Sequence, residues 1–348
     1  MHQKINYNKI IKQSTEIHEV RESFFDDVRI SVFVLCFNHK KYLSRFFESA
    51  LSQRVNCGVE IIINDDCSTD GSQSIIIEYQ KRYPKIIKPI FRKKNLYLTD
   101  REKKFYDFME LAKGSYFAFC ESDDYFTDPY KLLIQSHILS NNQNVDFCTH
   151  KVERFDLRIN QLVGFIPAKR INISRFNITK IADLLYYGGP FHFSSYFCRA
   201  VCFQEFLKVA RELQSIASFS DVSILLFCSR KKGLYYIDRI MSRYHFFVKN
   251  SWTARTYSND PLKKSLFFDM NADYYCYISH KFEGKTKKIL KDISTKNRML
   301  SLKLKQEYDI ILSNRELRKE LKRYSKRDYI ALYFKTRFPK FYRFIKKK

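Results

Sequence analysis

Hydrophobic positions in the first half of the chain switch repeatedly between two periods. Ile30–Phe37 is a short β-branched and aromatic run bounded by Asn38-His39, which predicts a buried strand. Lys40–Gln53 then places Leu43, Phe46, Phe47, Ala50 and Leu51 on one helical face. Val59–Asn64 predicts a second strand, Ser72–Tyr83 a helix and Ile86–Phe91 a third strand. Glu102–Lys113 predicts a helix with Gly114 as its C-cap, and Ser115–Cys120 a fourth strand. Strands alternating with helices predict an α/β fold, a mostly parallel sheet flanked by helices. Ligands of such sheets sit beyond the carboxyl ends of the strands. Three of those ends carry polar clusters: Asn38-His39, Asp65-Asp66 and Glu121–Asp124.

Further along, Asp128–Asn141 predicts a helix and Val145–Val152 another strand. The stretch Phe155–Asn177 reads as loop-rich, and Gly188-Gly189-Pro190 breaks the chain before the next strand. After Asp260 the composition shifts to helix formers and Lys/Arg, predicting helices over Lys263–Lys281 and Lys285–Tyr324. The final segment, Tyr329–Lys348, interleaves aromatics with basic residues. It fits either a packed terminal helix or an interfacial helix on an anionic cytoplasmic leaflet.

Composition narrows the class. The 348 residues suffice for about two domains. With 45% hydrophobic residues, 32 Phe and 24 Tyr, the chain is excluded from the disordered class. No run approaches the roughly 18 apolar residues of a spanning helix, and Met1–Lys12 lacks the apolar core of a secretion signal. Nine cysteines without a CxxC pair read as small buried hydrophobes in a reducing compartment, so a cytoplasmic protein is expected. Lys+Arg 63 against Asp+Glu 37 gives a net charge of +26, which calls for anionic partners. A basic, non-catalytic nucleic-acid- or membrane-binding protein would meet that demand, but it leaves the acidic strand ends unexplained.

The acids Glu121, Asp123 and Asp124 directly follow a buried strand and repel one another, so a cation should offset them. An all-oxygen set suits Mn²⁺ or Mg²⁺, held together with substrate phosphates. The chain has neither GxxxxGK[ST] nor GxGxxG, which disfavours glycine-cradled nucleotide folds. Ser31–Asn38, Glu60–Ser72 and Ala112–Leu132, with Glu121–Phe126 as a variant of an EGDDYW-type motif, resemble the family 2 glycosyltransferases of the GT-A fold. The subset resembled is that of bacterial surface-polysaccharide enzymes. Phe193–Arg199, which resembles the family's acceptor-side strand, Ser220–Leu225, Arg243–His245 and Trp252-Thr253 extend the likeness to about Thr253.

That resemblance implies a metal-dependent inverting transferase that uses a nucleotide-sugar donor, uridine-linked, and a glycan or lipid-linked saccharide acceptor. No nucleic-acid partner is expected. Phe37 and Asn38 match the base cradle, Asp66 the acceptor for the ring N–H, and Ser68 the same loop. Lys103 matches a position facing the pyrophosphate, Arg243 belongs to the closing element that binds the nucleotide-sugar, and Glu121, Ser122 and Asp124 flank the donor. Asp123 matches the main metal ligand and His245 a position beside metal or diphosphate. Asp221 matches the catalytic base, although it also reads as the N-cap of an apolar helix. Trp252 is the candidate acceptor platform. The implied organisation is a polar lead-in (1–28), a GT-A domain (29–257, nucleotide half 29–127 and acceptor half 128–257) and a basic helical tail (258–348). The tail is expected to rest on the inner face of the cell membrane. The chain departs from the family pattern at Leu35-Cys36, at Glu121 in place of Asp, and at Cys67 in place of Gly.

Overall fold

A computed structural model describes residues 11–19, 27–97, 99–100, 103–213, 221–248, 251 and 260–337. Its strands are β1 (Thr15–Glu16), β2 (Val28–Cys36), β3 (Arg54–Val55), β4 (Gly58–Asp65), β5 (Ile87–Phe91), β6 (Tyr116–Glu121), β7 (Tyr125–Phe126), β8 (Phe147–Asp156), β9 (Gln161–Ile166), β10 (Arg175–Phe176), β11 (Phe197–Arg199) and β12 (Leu234–Phe246). The main sheet runs β5-β4-β2-β6-β11-β8-β12-β10. From β5 to β6 all neighbours are parallel, so their carboxyl ends share one edge. β11 then enters antiparallel between β6 and β8. β1 and β3 form a separate two-stranded ribbon.

Register follows from burial. Every residue of β4 is buried, because helices cover both faces of the parallel part of the sheet. Helix Lys40–Leu51 buries Leu43, Phe46, Phe47, Ala50 and Leu51, the face its spacing predicts. The core continues through Ile61, Ile63, Ala118, Ile134, Phe197 and Met241. Phe33, Phe105, Phe108, Phe117, Phe119 and Phe203 form an aromatic layer, with Phe33 and Phe108 centroids 4.5 Å apart.

Four expectations are corrected. Phe155–Asn177 is not loop throughout, because β9 pairs antiparallel with β8 and β10 with β12. Strand β8 accordingly reaches Asp156, beyond the expected Val152. Phe193–Ser195 is a 3-10 turn, and only Phe197–Arg199 is strand. Gly114 is no left-handed C-cap: the helix Lys103–Leu111 ends earlier, and a Cβ at Gly114 would lie 2.6 Å from the Ser31 amide nitrogen. Glycine is required there for close approach.

The chain folds as two compact units, of which the first comprises residues 1–184, 188–214 and 219–248. The second comprises Leu185–Tyr187, Ser215–Ser218 and Lys249–Lys348. In the second unit, helix Pro261–Ser279 lies alongside Gly284–Leu304. Tyr308–Ser313, Arg315–Tyr324 and Lys326–Arg337 follow, around Met299, Leu302, Ile311, Leu317, Leu321 and Leu332. The helix-forming stretch Lys285–Tyr324 is thus divided among three helices. Among the described residues no helix is long and apolar enough to cross a membrane.

Candidate active site

The carboxyl ends of β2, β4 and β6 are neighbours in register: Cys36 faces Asp65 and Leu35 faces Glu121. Parallel pairing therefore brings the three predicted polar clusters to one edge of the sheet. The chain leaves β2 through Asn38, held in the left-handed region at φ 57°. The Asn38 amide donates to Ser68 Oγ (2.8 Å), and its side-chain oxygen accepts from the Thr69 amide (2.8 Å). Asp70 accepts from the Lys40 amide, tying the loop after β4 to the helix after β2. Phe37 stays 43% exposed beside this junction. Asp66 Oδ1 accepts from the Leu96 amide (2.8 Å), and the Asp66 amide donates to the Cys36 carbonyl (2.9 Å). Cys67 sits at φ 66°, a backbone state that glycine adopts with less strain.

At the end of β6, carboxylate oxygens of Glu121, Asp123 and Asp124 lie within 4.8 Å of one another. Burial raises all three acids above the ordinary carboxylate range. Their mutual repulsion pushes Glu121 and Asp124 further, and the charge of Asp221 adds to that on Glu121. His39 and Lys104 act on Glu121 in the opposite sense. Asp123 Oδ1 and Asp124 Oδ2 are buried without hydrogen-bond partners. Orphaned acceptors in a crowded acidic pocket are the mark of a place for a cation.

His245 comes from β12. Its amide donates to Asp124 Oδ1 (2.9 Å), and its ring Nδ1 meets the Asp123 carbonyl at 2.6 Å. A carbonyl only accepts, so Nδ1 carries the proton; burial lowers the imidazole pKa and keeps the ring neutral. The lone pair is then on Nε2, the arrangement in which a ligating histidine is oriented by a backbone acceptor. The carboxylates of Glu121, Asp123 and Asp124 therefore fit a hard divalent cation such as Mn²⁺ or Mg²⁺, with His245 held beside them by Asp123 and Asp124.

The other sequence candidates fall as follows. Ser122 is fully buried, its Oγ 2.9 Å from His39 Nδ1. Lys103 donates to Asp107 (2.8 Å), which also takes Arg92. Arg243 is ion-paired to Glu153 at 2.7 Å and lies over the Phe155 ring. Asp221 is half-buried at the first turn of helix Asp221–Cys228, accepting from the Val222 amide (2.9 Å), and burial raises its pKa. Trp252 lies outside the described residues.

Two further histidines stand at the site: His39 belongs to the Asn38-His39 cluster marked by the sequence at the end of β2, whereas His192 carries no signal in the sequence. His39 Nε2 is 3.5 Å from Asp123 Oδ2. His192 Nδ1 is 3.8 Å from Asp124 Oδ2, and its ring stacks on Tyr244 at 4.1 Å. Burial takes the His192 pKa down to about 3, so it faces the acids as a neutral ring. A lone histidine in a turn has no diagnostic spacing; only the convergence of the strand ends identifies it.

An open sheet that turns from parallel to mixed at β11, with acids at the end of β6, is a GT-A-type fold. Residues 31–203 match the family model described as "Glycosyl transferase family 2", so the chain carries a domain of that family. An uncharacterized protein of Mycobacterium tuberculosis is 37% identical over 123 residues, covering 35% of each chain. An abequosyltransferase of Salmonella typhimurium is 28% identical over 129 residues, covering 37% of this chain and 38% of that one. The matches thus span about a third of the length of these relatives. Among solved structures, S. aureus TarS 1-349 in complex with UDP-GlcNAc superposes with a TM-score of 0.55 at 15% identity, covering 88% of this chain and 87% of that one. At that identity the likeness is one of fold.

Proposed function

We propose that this chain is an inverting glycosyltransferase that moves a sugar from a nucleoside-diphosphate donor, uridine-linked, to a hydroxyl of a glycan or lipid-linked saccharide in surface-polysaccharide synthesis. The observation that carries the reading is the buried cluster of Glu121, Asp123 and Asp124 beside a neutral His245 whose Nε2 lone pair is available. Asp123 and His245 would hold Mn²⁺ or Mg²⁺, with Glu121 and Asp124 completing the acidic wall. The bound cation supplies charge neutralisation for the departing diphosphate.

The chain's own residues do the rest. Phe37 offers an exposed ring to the base, and Asp66 keeps Oδ2 for the base N–H while Leu96 occupies Oδ1. Asn38 and Ser68 fix the loop between them, and Ser122 holds His39. Lys103 and Arg243 add positive charge near the diphosphate. Asp221, its pKa raised by burial, takes the acceptor hydroxyl proton as that oxygen bonds to the anomeric carbon. The bond to the diphosphate breaks on the opposite face, and one displacement inverts the centre. Trp252 would stack on the acceptor, and the basic tail would hold the protein at an anionic inner leaflet where lipid-linked acceptors reside.

The test is transfer from a panel of nucleotide-sugars with Mn²⁺, with the anomeric configuration of the product read by NMR. Asp221→Asn is expected to cut kcat by about 10²–10⁴-fold while donor binding persists. Asp123→Asn is expected to abolish the Mn²⁺-dependent thermal stabilisation by nucleoside diphosphate. Failure of every nucleoside diphosphate to stabilise the wild-type protein in Mn²⁺ would refute the reading.

A further inference from the structure

A second cluster of metal-competent side chains lies away from the acids. Cys198 sits in β11, Cys202 in the first turn of helix Ala200–Leu213, and Cys228 at the end of helix Asp221–Cys228. Their three sulfurs lie within 4.8 Å of one another, yet all three thiols are free. Cys198 is opposite Phe117, near the start of β6, whereas Glu121 closes the other end of that strand. The cluster is thus separated from the candidate active site by four residues of strand, about 13 Å.

The three side chains are 0%, 6% and 1% exposed. Zinc–sulfur bonds of about 2.3 Å in a trigonal or tetrahedral array need sulfurs about 3.8–4.0 Å apart. Sulfurs that all lie within 4.8 Å of one another are near enough for that array. Polar groups border the cluster. Cys202 Sγ is 3.0 Å from the Arg199 carbonyl and 3.7 Å from that of Asp146. The Asp146 carboxylate is shared by Arg199 Nε (3.5 Å) and Lys232 Nζ (3.4 Å). Three thiolates around a divalent ion carry one negative charge, against two around a monovalent metal, so a buried site favours the divalent ion. Burial raises the thiol pKa of Cys198 and Cys228; at Cys202 it also opposes ionisation, but hydrogen bonds from the other two thiols outweigh it and favour a thiolate.

We propose that Cys198, Cys202 and Cys228 form a three-thiolate site for one zinc ion, which pins β11 to the two helices beside it. Binding releases the protons of the Cys198 and Cys228 thiols to solvent, Cys202 already being the thiolate, and involves no electron transfer. The soft sulfur set selects against the hard ions that suit the oxygen cluster.

Cobalt(II) is the probe, because it absorbs through sulfur-to-metal charge transfer when bound by thiolates and not when bound by carboxylates. The full chain, freed of metal by chelation, is expected to develop that near-ultraviolet band at one equivalent, and zinc should discharge it. Asp123→Asn, which alters only the oxygen cluster, should keep the band, and Cys202→Ala should lose it. Cys202→Ala removes a buried side chain, so a Cys67→Ser/Cys276→Ser variant gives a second check. It removes the half-buried and the exposed thiol and should keep the full band. Absence of the band in folded wild-type protein, its survival in Cys202→Ala, or its loss with Cys67 and Cys276 would overturn the site.

Discussion

At the scale of single residues, two buried positions carry consequences that their type alone does not reveal. Gly114 donates its amide to Ser31 Oγ (2.9 Å), and Ser31 Oγ donates to Glu60, a fully buried carboxylate that also takes Lys88. A methyl group at Gly114 would meet backbone on the central strand β2, which cannot yield without breaking its ladder. Gly114→Ala should therefore cost about 1–3 kcal/mol in chemical denaturation; a variant as stable as wild type would show that the strand can shift. Lys131 is fully buried, its ammonium donating to Gln135 (2.9 Å) over the Phe126 ring. Burial lowers its pKa from 10.5 to about 8. Between those values the unfolded chain binds more protons than the folded one, so stability from this group rises with pH across that window. The stability of wild type relative to Lys131→Met should improve by up to about 3 kcal/mol from pH 7.5 to pH 10.5. Parallel denaturation curves across that range would mean that the ammonium is solvated.

At the scale of elements, legibility tracked burial and turn chemistry. β2, β4 and the helix Lys40–Leu51 were readable because covered faces demand unbroken or periodic apolar residues. β9 was not: its residues are exposed or half-buried, so no alternation is imposed on Gln161–Ile166. The acids of the candidate site and the Asn38-His39 pair were visible as strand ends, whereas His192 was brought there by tertiary pairing alone. The break after Leu304 was hidden for a different reason. The Glu307 amide donates to the Leu302 carbonyl (3.0 Å) and the Gln306 amide to the Lys303 carbonyl (3.2 Å), a Schellman ending. Its left-handed residue is Gln306, at φ 62°, where the usual signal is glycine. Asn314 then caps the helix Arg315–Tyr324 by accepting from the Glu316 and Leu317 amides, both at 3.0 Å. Because a Cβ is penalised in the left-handed region, Gln306→Gly should stabilise by roughly 0.5–1 kcal/mol, measured by urea denaturation. Destabilisation by this substitution would mean that the Gln306 side chain contributes more than its backbone strain costs.

At the scale of the whole molecule, the strand order delivers the acids to one place and the charge does not. A net charge of +26 says only that anions are attracted, while parallel pairing of β2, β4 and β6 decides which residues meet them. The two compact units each have their own apolar interior. Met299, Leu302, Ile311, Leu317, Leu321 and Leu332 form a core separate from the one beneath the sheet. Two cores give two cooperative units, and a ligand stabilises the one that binds it. Every described candidate for donor and metal, from Phe37 to His245, belongs to the first unit. Scanning calorimetry of the full chain should therefore resolve two transitions. Mn²⁺ with a nucleoside diphosphate at about 100 times its Kd should stabilise one by about 2.7 kcal/mol and leave the other in place. Chelation should reverse that shift, and Asp123→Asn should remove it. If the ligand moved both transitions together, or if a single transition contained all the heat, the second unit would be part of the same cooperative structure as the site, and the division into two cores would have no thermodynamic meaning.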